Sequence, residues 1–450
     1  MGKKKFDKRW LVYLLCLGLA LLAALWQLSE SNPNGISGVG SPVGVRSPAA
    51  PAARTEVRGV WLTNVTSGVL FAPWGVNRAM RQLSQLNFNT VYPVVWNRGQ
   101  TFYPSQVAKQ VTGRDREPLL GLVRLGQDSL AEIIKQGYRY QMDVIPWFEY
   151  GFMAPANSEL VRRHPEWVTF RRNSSQILKE IADEQNGIDS GNSTAKPVWE
   201  NVRQFILKQM EISQVWLNPL HPEVQKFMLD LLVEVVSKYG VAGIQIDDRF
   251  AMPVEFGYDP FTLRLYQQEH AGKNPPDNPR DAEWMRWRAD KITDFMQKVY
   301  QAVKTVSPNC IISLSPNSQD YSYKLYLQDW PTWVQRGLVE ELVVQVYRGD
   351  MTTFVEELQK PALAAARSKI PVGVGISTGT WGRPVAMEQI EKQVQVARER
   401  GFNGVSFFYW ESLWGYIAPE SPPERRAAFQ DIFSEPATRP KLLQKPTPAG

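Results

Sequence analysis

The chain is predicted to be an α/β protein, a (β/α)8 TIM barrel with long insertions after strands 2 and 3, preceded by an N-terminal transmembrane helix. Eight short β-rich runs recur between Val57 and Glu411, each followed by a segment with helical apolar spacing. Several of these runs alternate between an aliphatic face and a small or polar one, the pattern of a strand with helices outside and a barrel axis inside. Ahead of them, residues 10–28 form an uncharged, mostly apolar run behind Lys3, Lys4, Lys5, Lys8 and Arg9.

Taken in order, residues 1–9 read as a basic cytoplasmic segment and 10–28 as a membrane anchor or signal. As a helix the apolar run extends about 28 Å, close to a hydrocarbon core, and its basic flank directs the remainder outward. No small-x-small cleavage site follows it, and Leu15 before Cys16 departs from a lipoprotein pattern. The expectation is a body anchored to the membrane on its periplasmic or extracellular face, or secreted if the segment is cleaved. Residues 29–55, rich in Ser, Pro, Gly and Ala, read as a disordered linker with an r.m.s. span of about 25–30 Å. The barrel is assigned to 56–433 and a disordered tail to 434–450.

The strand-like runs are 57–64, 89–96, 141–149, 241–248, 311–315, 342–347, 372–378 and 405–411. The plainest helical segments are 77–86, 129–137, 222–239, 283–306, 353–368, 387–400 and 423–433, with Gly240 and Gly401 placed as left-handed caps. In the fifth run Ile312 and Leu314 oppose Ser313, Ser315 and Asn317; in the sixth Val344 and Val346 oppose Gln345 and Tyr347. A doubly wound open sheet is the main alternative, but no Gly-rich phosphate fingerprint follows the first strand. The insertion after Glu149 is the longest, reaching about Pro222, and its stretch 182–196 is polar enough for a mobile loop.

Composition excludes several functions. The formal charge of +6 comes largely from the N-terminal cluster, and neither a long basic stripe nor zinc-spaced cysteines point to nucleic acid. Cys16 and Cys310 are implausible disulfide partners. His164, His221 and His270 are the only histidines and none ends a strand, against a Ser-His-Asp triad or a His-rich metal site. No cofactor and no metal is expected, since no further acidic cluster stands beside Asp247 and Asp248.

Ligands of parallel α/β folds bind at the carboxyl ends of strands, and four strand ends here carry notable groups. On the fourth run Gln245 and Asp247 share the face toward the axis, while Ile244, Ile246 and Asp248 share the other. The third ends in Trp147 and Glu149, the sixth in Gln345 and Tyr347, and the eighth in Trp410 and Glu411. Sugars present apolar C–H faces and rings of hydroxyls, so a sugar cleft pairs flat aromatics with hydrogen-bonding side chains. The 16 Trp supply the first. Candidate substrate contacts are Asn64, Tyr92, Trp96, Trp147, Gln245, Asn317, Gln345, Tyr347 and Trp410. Glycoside hydrolysis needs one protonated and one ionised carboxyl. Asp247 is the first choice for the ionised group and Glu149 for the acid, with Asp248 and Glu411 held as alternatives. The competing reading is a carbohydrate-binding or envelope-organising protein without chemistry.

Arg58-Gly59-Val60-Trp61, Asn87-Phe88-Asn89-Thr90-Val91-Tyr92, the Trp216–Glu223 segment, Gly243-Ile244-Gln245-Ile246-Asp247-Asp248 and Gly404-Val405-Ser406-Phe407-Phe408 together resemble, in order, the glycosyl hydrolase-like family ten. The resemblance covers about 56–433. It implies a (β/α)8 barrel working outside the bacterial cytoplasm on a cell-envelope polysaccharide, such as peptidoglycan glycan strands stripped of their peptides. It carries over to Asp247 and Asp248. Arg249 stands where many relatives have Tyr, and Glu149 where an amide is common.

Overall fold

The computed structural model describes residues 54–172, 214–380, 383–415 and 418–440. The expected basic segment and apolar run, the linker up to residue 53, the polar stretch 182–196 and residues 441–450 lie outside the described residues. Among the described residues no helix is long and apolar enough to cross a membrane.

Eight parallel strands close into a barrel: β1 (Val57–Leu62), β2 (Thr90–Asn97), β3 (Asp143–Val144 and Trp147–Phe148), β4 (Gly243–Asp247), β5 (Ile311–Ser315), β6 (Glu341–Gln345), β7 (Val372–Ser377) and β8 (Gly404–Phe408). Neighbours in sequence are neighbours in space. The ring shuts where β8 pairs with β1 and β1 with β2, with Val405 opposite Arg58 and Val60 opposite Val91. Around it lie α1 (Gly75–Gln85), α2 (Ser129–Tyr140), α3 (Pro222–Tyr239), α4 (Ala282–Val306), α5 (Trp330–Gln335), α6 (Met351–Leu358), α7 (Met387–Glu399) and α8 (Pro422–Ile432). Each long helix turns an apolar stripe to the strands, as α3 does with Val224, Phe227, Met228, Leu231, Leu232, Val235 and Val236. Gly240 and Gly401 adopt the left-handed conformation expected after their helices.

Three predicted elements are cut differently. β3 is interrupted at Pro146, whose ring removes a ladder N–H. The run 353–368 breaks at Pro361 into α6 and a second helix, Pro361–Arg367. β8 ends at Phe408, and Trp410–Leu413 is a short helix, so Trp410 and Glu411 leave the strand. The insertions carry structure of their own. After β2 come helices Gln106–Thr112 and Pro118–Val123, and after β3 a three-stranded antiparallel sheet of Met153–Pro155, Val168–Thr169 and Gln214–Leu217.

The boundaries assigned to linker and tail are corrected at both ends. Arg54–Thr55 pairs in parallel with Ala437–Thr438, and the Arg439 side chain is buried in an ion pair with Glu341. No apolar period marks these residues, so local pattern could not reveal them; a distant buried carboxylate holds them. Inside the barrel Trp61 Nε1 donates to Gln245 Oε1 at 2.7 Å, Gln245 Nε2 to Ser313 Oγ at 3.0 Å, and Ser313 Oγ to Glu341 Oε1 at 2.8 Å. That chain satisfies polar groups which burial would otherwise penalise. Gly59 makes room beside it, since a Cβ there would meet Ser406 Oγ at 2.4 Å and the Tyr92 ring at 2.6 Å.

Candidate active site

Asp247 closes β4, as the alternation requires, with its carboxylate at the carboxyl end of the barrel. Its Oδ2 accepts the Tyr150 N–H at 2.7 Å and its Oδ1 the Arg249 N–H at 2.9 Å. Both oxygens therefore join the loop after β3 to the loop after β4. Asp248 departs from the aliphatic face to which alternation assigned it, because the strand ends at Asp247 and the chain turns. Its Oδ2 accepts from Asn317 Nδ2 at 2.6 Å, and the Arg249 guanidinium lies 3.4 Å away. Glu149 follows β3; its Oε2 accepts from Thr63 Oγ1 at 2.9 Å and from Asn97 Nδ2 at 2.7 Å. The two loops touch at Gly151, which has φ +39° and where a Cβ would stand 2.3 Å from the Arg249 carbonyl oxygen.

These three carboxyls are buried and sense one another. Burial pushes Glu149 up to about 7; Thr63, Asn97 and Arg98 oppose the rise, and the Asp248 charge adds to it. Burial, then the Asp248 charge, holds Asp247 well above the usual carboxylate range against its two backbone donors. Asp248 is also raised by burial, with Arg249 and Asn317 pulling the other way. Tyr347 completes the group: burial raises its phenol well above its usual value, followed by the charges of Asp248, Glu149 and Asp247. Glu149 thus holds its proton up to about 7, while the Asn317 hydrogen bond and the Arg249 charge favour the ionised form of Asp248.

The rings at this mouth are Tyr347 and Phe408, both only partly buried and stacked at 5.5 Å and 26°. Trp61 and Trp147 pack below Phe408, at 6.3 and 6.4 Å. Asn317 and Gln345 stand beside them, Gln345 Nε2 donating to the Ser315 carbonyl at 2.9 Å. Asn64 reaches the site at one remove, its Oδ1 accepting from Asn97 at 2.7 Å.

Other candidates lie elsewhere. Gln245 and Tyr92 are fully buried in the barrel interior, where Gln245 is consumed by Trp61 and Ser313 and Tyr92 stacks on Trp61 at 5.2 Å. Trp96 is fully buried outside the axis, its indole donating to Gly151 O at 2.8 Å and its ring meeting Phe227 of α3 at 5.6 Å. Trp410 packs against Trp414 at 5.2 Å. Glu411 is bound to the loop after β1: its Oε1 accepts from Ser67 Oγ, and from Gly68 N at 3.1 Å and Val69 N at 3.2 Å. Burial raises it to about 7 as well.

Sequence reasoning missed Phe408, Thr63, Asn97 and Arg98. Phe408 was legible, since it shares parity with Ser406 in β8; the other three belong to loops or strand ends where alternation stops. Among the described residues no group of three or more His, Cys, Asp or Glu side chains is arranged to hold a metal ion.

A closed (β/α)8 barrel with buried carboxyls gathered at the carboxyl ends of its strands beside two partly buried, stacked rings is a barrel of the glycoside hydrolase class. The sequence profile of the family described as glycosyl hydrolase-like 10 matches residues 56–211 and 188–397, and the chain belongs to that family. It is 25% identical over 366 residues to glycosyl hydrolase DigH of Escherichia coli (strain K12), an alignment covering 73% of this chain and 74% of that protein. With glycosyl hydrolase YngK of Bacillus subtilis (strain 168) it shares 20% over 329 residues, 65% of this chain and 54% of that one. Among solved structures, the PgaB (BpsB) glycoside hydrolase domain from Bordetella bronchiseptica superposes with a TM-score of 0.54 at 13% identity, covering 84% of this chain and 99% of that domain. The catalytic domain of a β-amylase from Paenibacillus polymyxa does so with 0.52 at 10%, covering 86% and 99%. At such identities these two structures speak for the fold.

Proposed function

We propose that this protein is a membrane-tethered glycoside hydrolase that cleaves a cell-envelope polysaccharide outside the cytoplasm. The observation that carries the proposal is the grouping of Glu149, Asp247 and Asp248 beside the Tyr347 and Phe408 rings. In this reading Glu149, protonated near pH 7, gives its proton to the leaving glycosidic oxygen. Asp248 is the ionised partner that attacks the anomeric carbon or activates water. The sequence favoured Asp247 for that part, but both Asp247 oxygens accept backbone N–H groups, whereas Asp248 is held at the mouth by side chains, by Asn317 through a hydrogen bond and by Arg249 through an ion pair. The apolar run 10–28 is the proposed tether; it would hold the body outside the cytoplasm, which favours a glycan of the envelope as substrate, and membership of a glycosyl hydrolase-like family supplies the reaction class.

Incubating the protein with peptidoglycan glycan strands stripped of their peptides, and with a panel of other glycans, should release new reducing ends. Binding across the panel with no cleavage would instead favour a carbohydrate-binding protein. A periplasm-active reporter fused after Arg54 should be active and remain in the membrane through an alkaline wash; a soluble, shortened product would identify a cleaved signal.

A further inference from the structure

The Trp216–Glu223 segment takes no part in the chemistry above, yet it touches both loops that carry it. Trp216 lies on Gln214–Leu217 and pairs with Met153, four residues beyond Glu149. Its indole Nε1 donates to the Ala251 carbonyl at 2.6 Å, in the loop that leaves Asp247 and Asp248. Its ring stacks on Tyr326 at 5.9 Å and 30°, and Tyr326 lies 4.3 Å from the guanidinium carbon of Arg249, the ion partner of Asp248. Two residues on, Asn218 Nδ2 donates to Asp259 Oδ1 at 3.0 Å and Thr262 Oγ1 at 2.8 Å, fastening the same segment further along the β4–α4 connection.

We infer that Trp216 is a positioning residue that sets the gap between Glu149 and Asp248 and keeps Arg249 on Asp248, an inference resting on the glycosidase reading above. The physical reason is tolerance. The two carboxyls stand on separate loops past the ends of β3 and β4, where strand pairing no longer fixes them, and a misplacement of about 1 Å costs on the order of 100-fold in rate. A buried planar ring with one directed N–H and one stacked face supplies two constraints that an aliphatic side chain could not.

Trp216→Phe keeps the stack and loses the N–H; Trp216→Leu loses both. On the glycan that the wild type cleaves, Trp216→Phe should lower kcat about 10-fold with KM within about 2-fold, leaving the acidic limb of the pH profile in place because Tyr326 still carries Arg249. Trp216→Leu should lower kcat on the order of 100-fold and move the acidic limb upward, since Asp248 loses the cation that holds its pKa down. Glu149 is faced by Arg98 just after β2, Tyr150 on its own loop, Asp247 at the end of β4 and Asp248 after it, and Tyr347 after β6. Its titration, followed by carboxyl 13C NMR, should therefore shift in both variants as the gap to Asp248 changes. An unchanged Glu149 titration in Trp216→Phe, or an unchanged kcat there, overturns the inference even if Trp216→Leu fails to fold. If the wild type cleaves no glycan, the glycosidase reading falls, and the Glu149 titration alone decides whether Trp216 sets the gap.

Discussion

Glu149 and Glu411 are two buried glutamates at the same end of the barrel, both raised to about 7 and both chiefly by burial. Their surroundings differ. Glu149 is fixed by two side-chain donors and feels the charge of Asp248, and its own charge is felt by Tyr347. The hydrogen bonds of Glu411 all fall on Oε1, from three consecutive residues of the β1–α1 loop, while its Oε2 has no hydrogen-bond partner among the described residues. One is a carboxyl among carboxyls; the other is a clasp for a loop. A raised pKa therefore reports burial first, and only its company distinguishes a site from a structural tie.

The sharpest test separates them by activity. Glu149→Gln and Asp248→Asn should each lower turnover on an unactivated glycan by a factor of about 1,000 or more with small changes in binding, while Glu411→Gln stays within about 10-fold of wild type. Loss of activity in Glu411→Gln with Glu149→Gln still active would reverse the comparison.

A third buried carboxyl, Glu341, extends it to a fully paired case. Arg439→Ala leaves Glu341 buried without its cation and should destabilise the fold by about 3–5 kcal/mol in a denaturant titration. A loss near zero would mean that the segment after Phe433 is not part of the folded body.

A smaller effect concerns stability against pH. With a folded pKa of about 7 against an unfolded value near 4.5, Glu411 binds a proton more readily when folded. Its contribution is therefore greatest below about 4.5 and declines as pH rises through 7, by no more than about 3 kcal/mol. Glu411→Gln should flatten that decline between pH 5 and 8 in thermal melts. Glu149 slopes the same way, so part of the decline should persist in the variant.

The smallest effect is a shifted pH profile. Activity should fall on the alkaline side as Glu149 ionises through about 7. Thr63→Val removes a donor that favours the carboxylate, so the limb should move to higher pH by on the order of half a unit. A move to lower pH would show that Thr63 is not felt by the group controlling the limb.

By itself the sequence determined the barrel and the strands that bear its acids. Period-two alternation is imposed by the pleat, and it set Gln245, Ser313 and Gly375 on the axis side, where Gln245 meets Trp61 and Ser313 and Gly375 leaves room for Trp61, while Asp247 is the last residue of β4. Alternation cannot say how far along the axis an inward side chain sits. Gln245 and Tyr92 were read as substrate contacts, but neighbouring strands cover them with Trp61 and Ser313. It also stops where strands stop. Asp248 turned toward Asn317, Glu411 moved onto a helix, and Phe408 was left as the last ring of β8, because each outcome depends on a loop from another part of the chain. Arg439 is the extreme case: nothing near it in sequence foretells burial, and the acids that make it favourable are distant, chiefly Glu341, 98 residues away, with Asp143 at 4.0 Å. Local periodicity records which face a residue must turn, whereas partners across the barrel decide what that face meets.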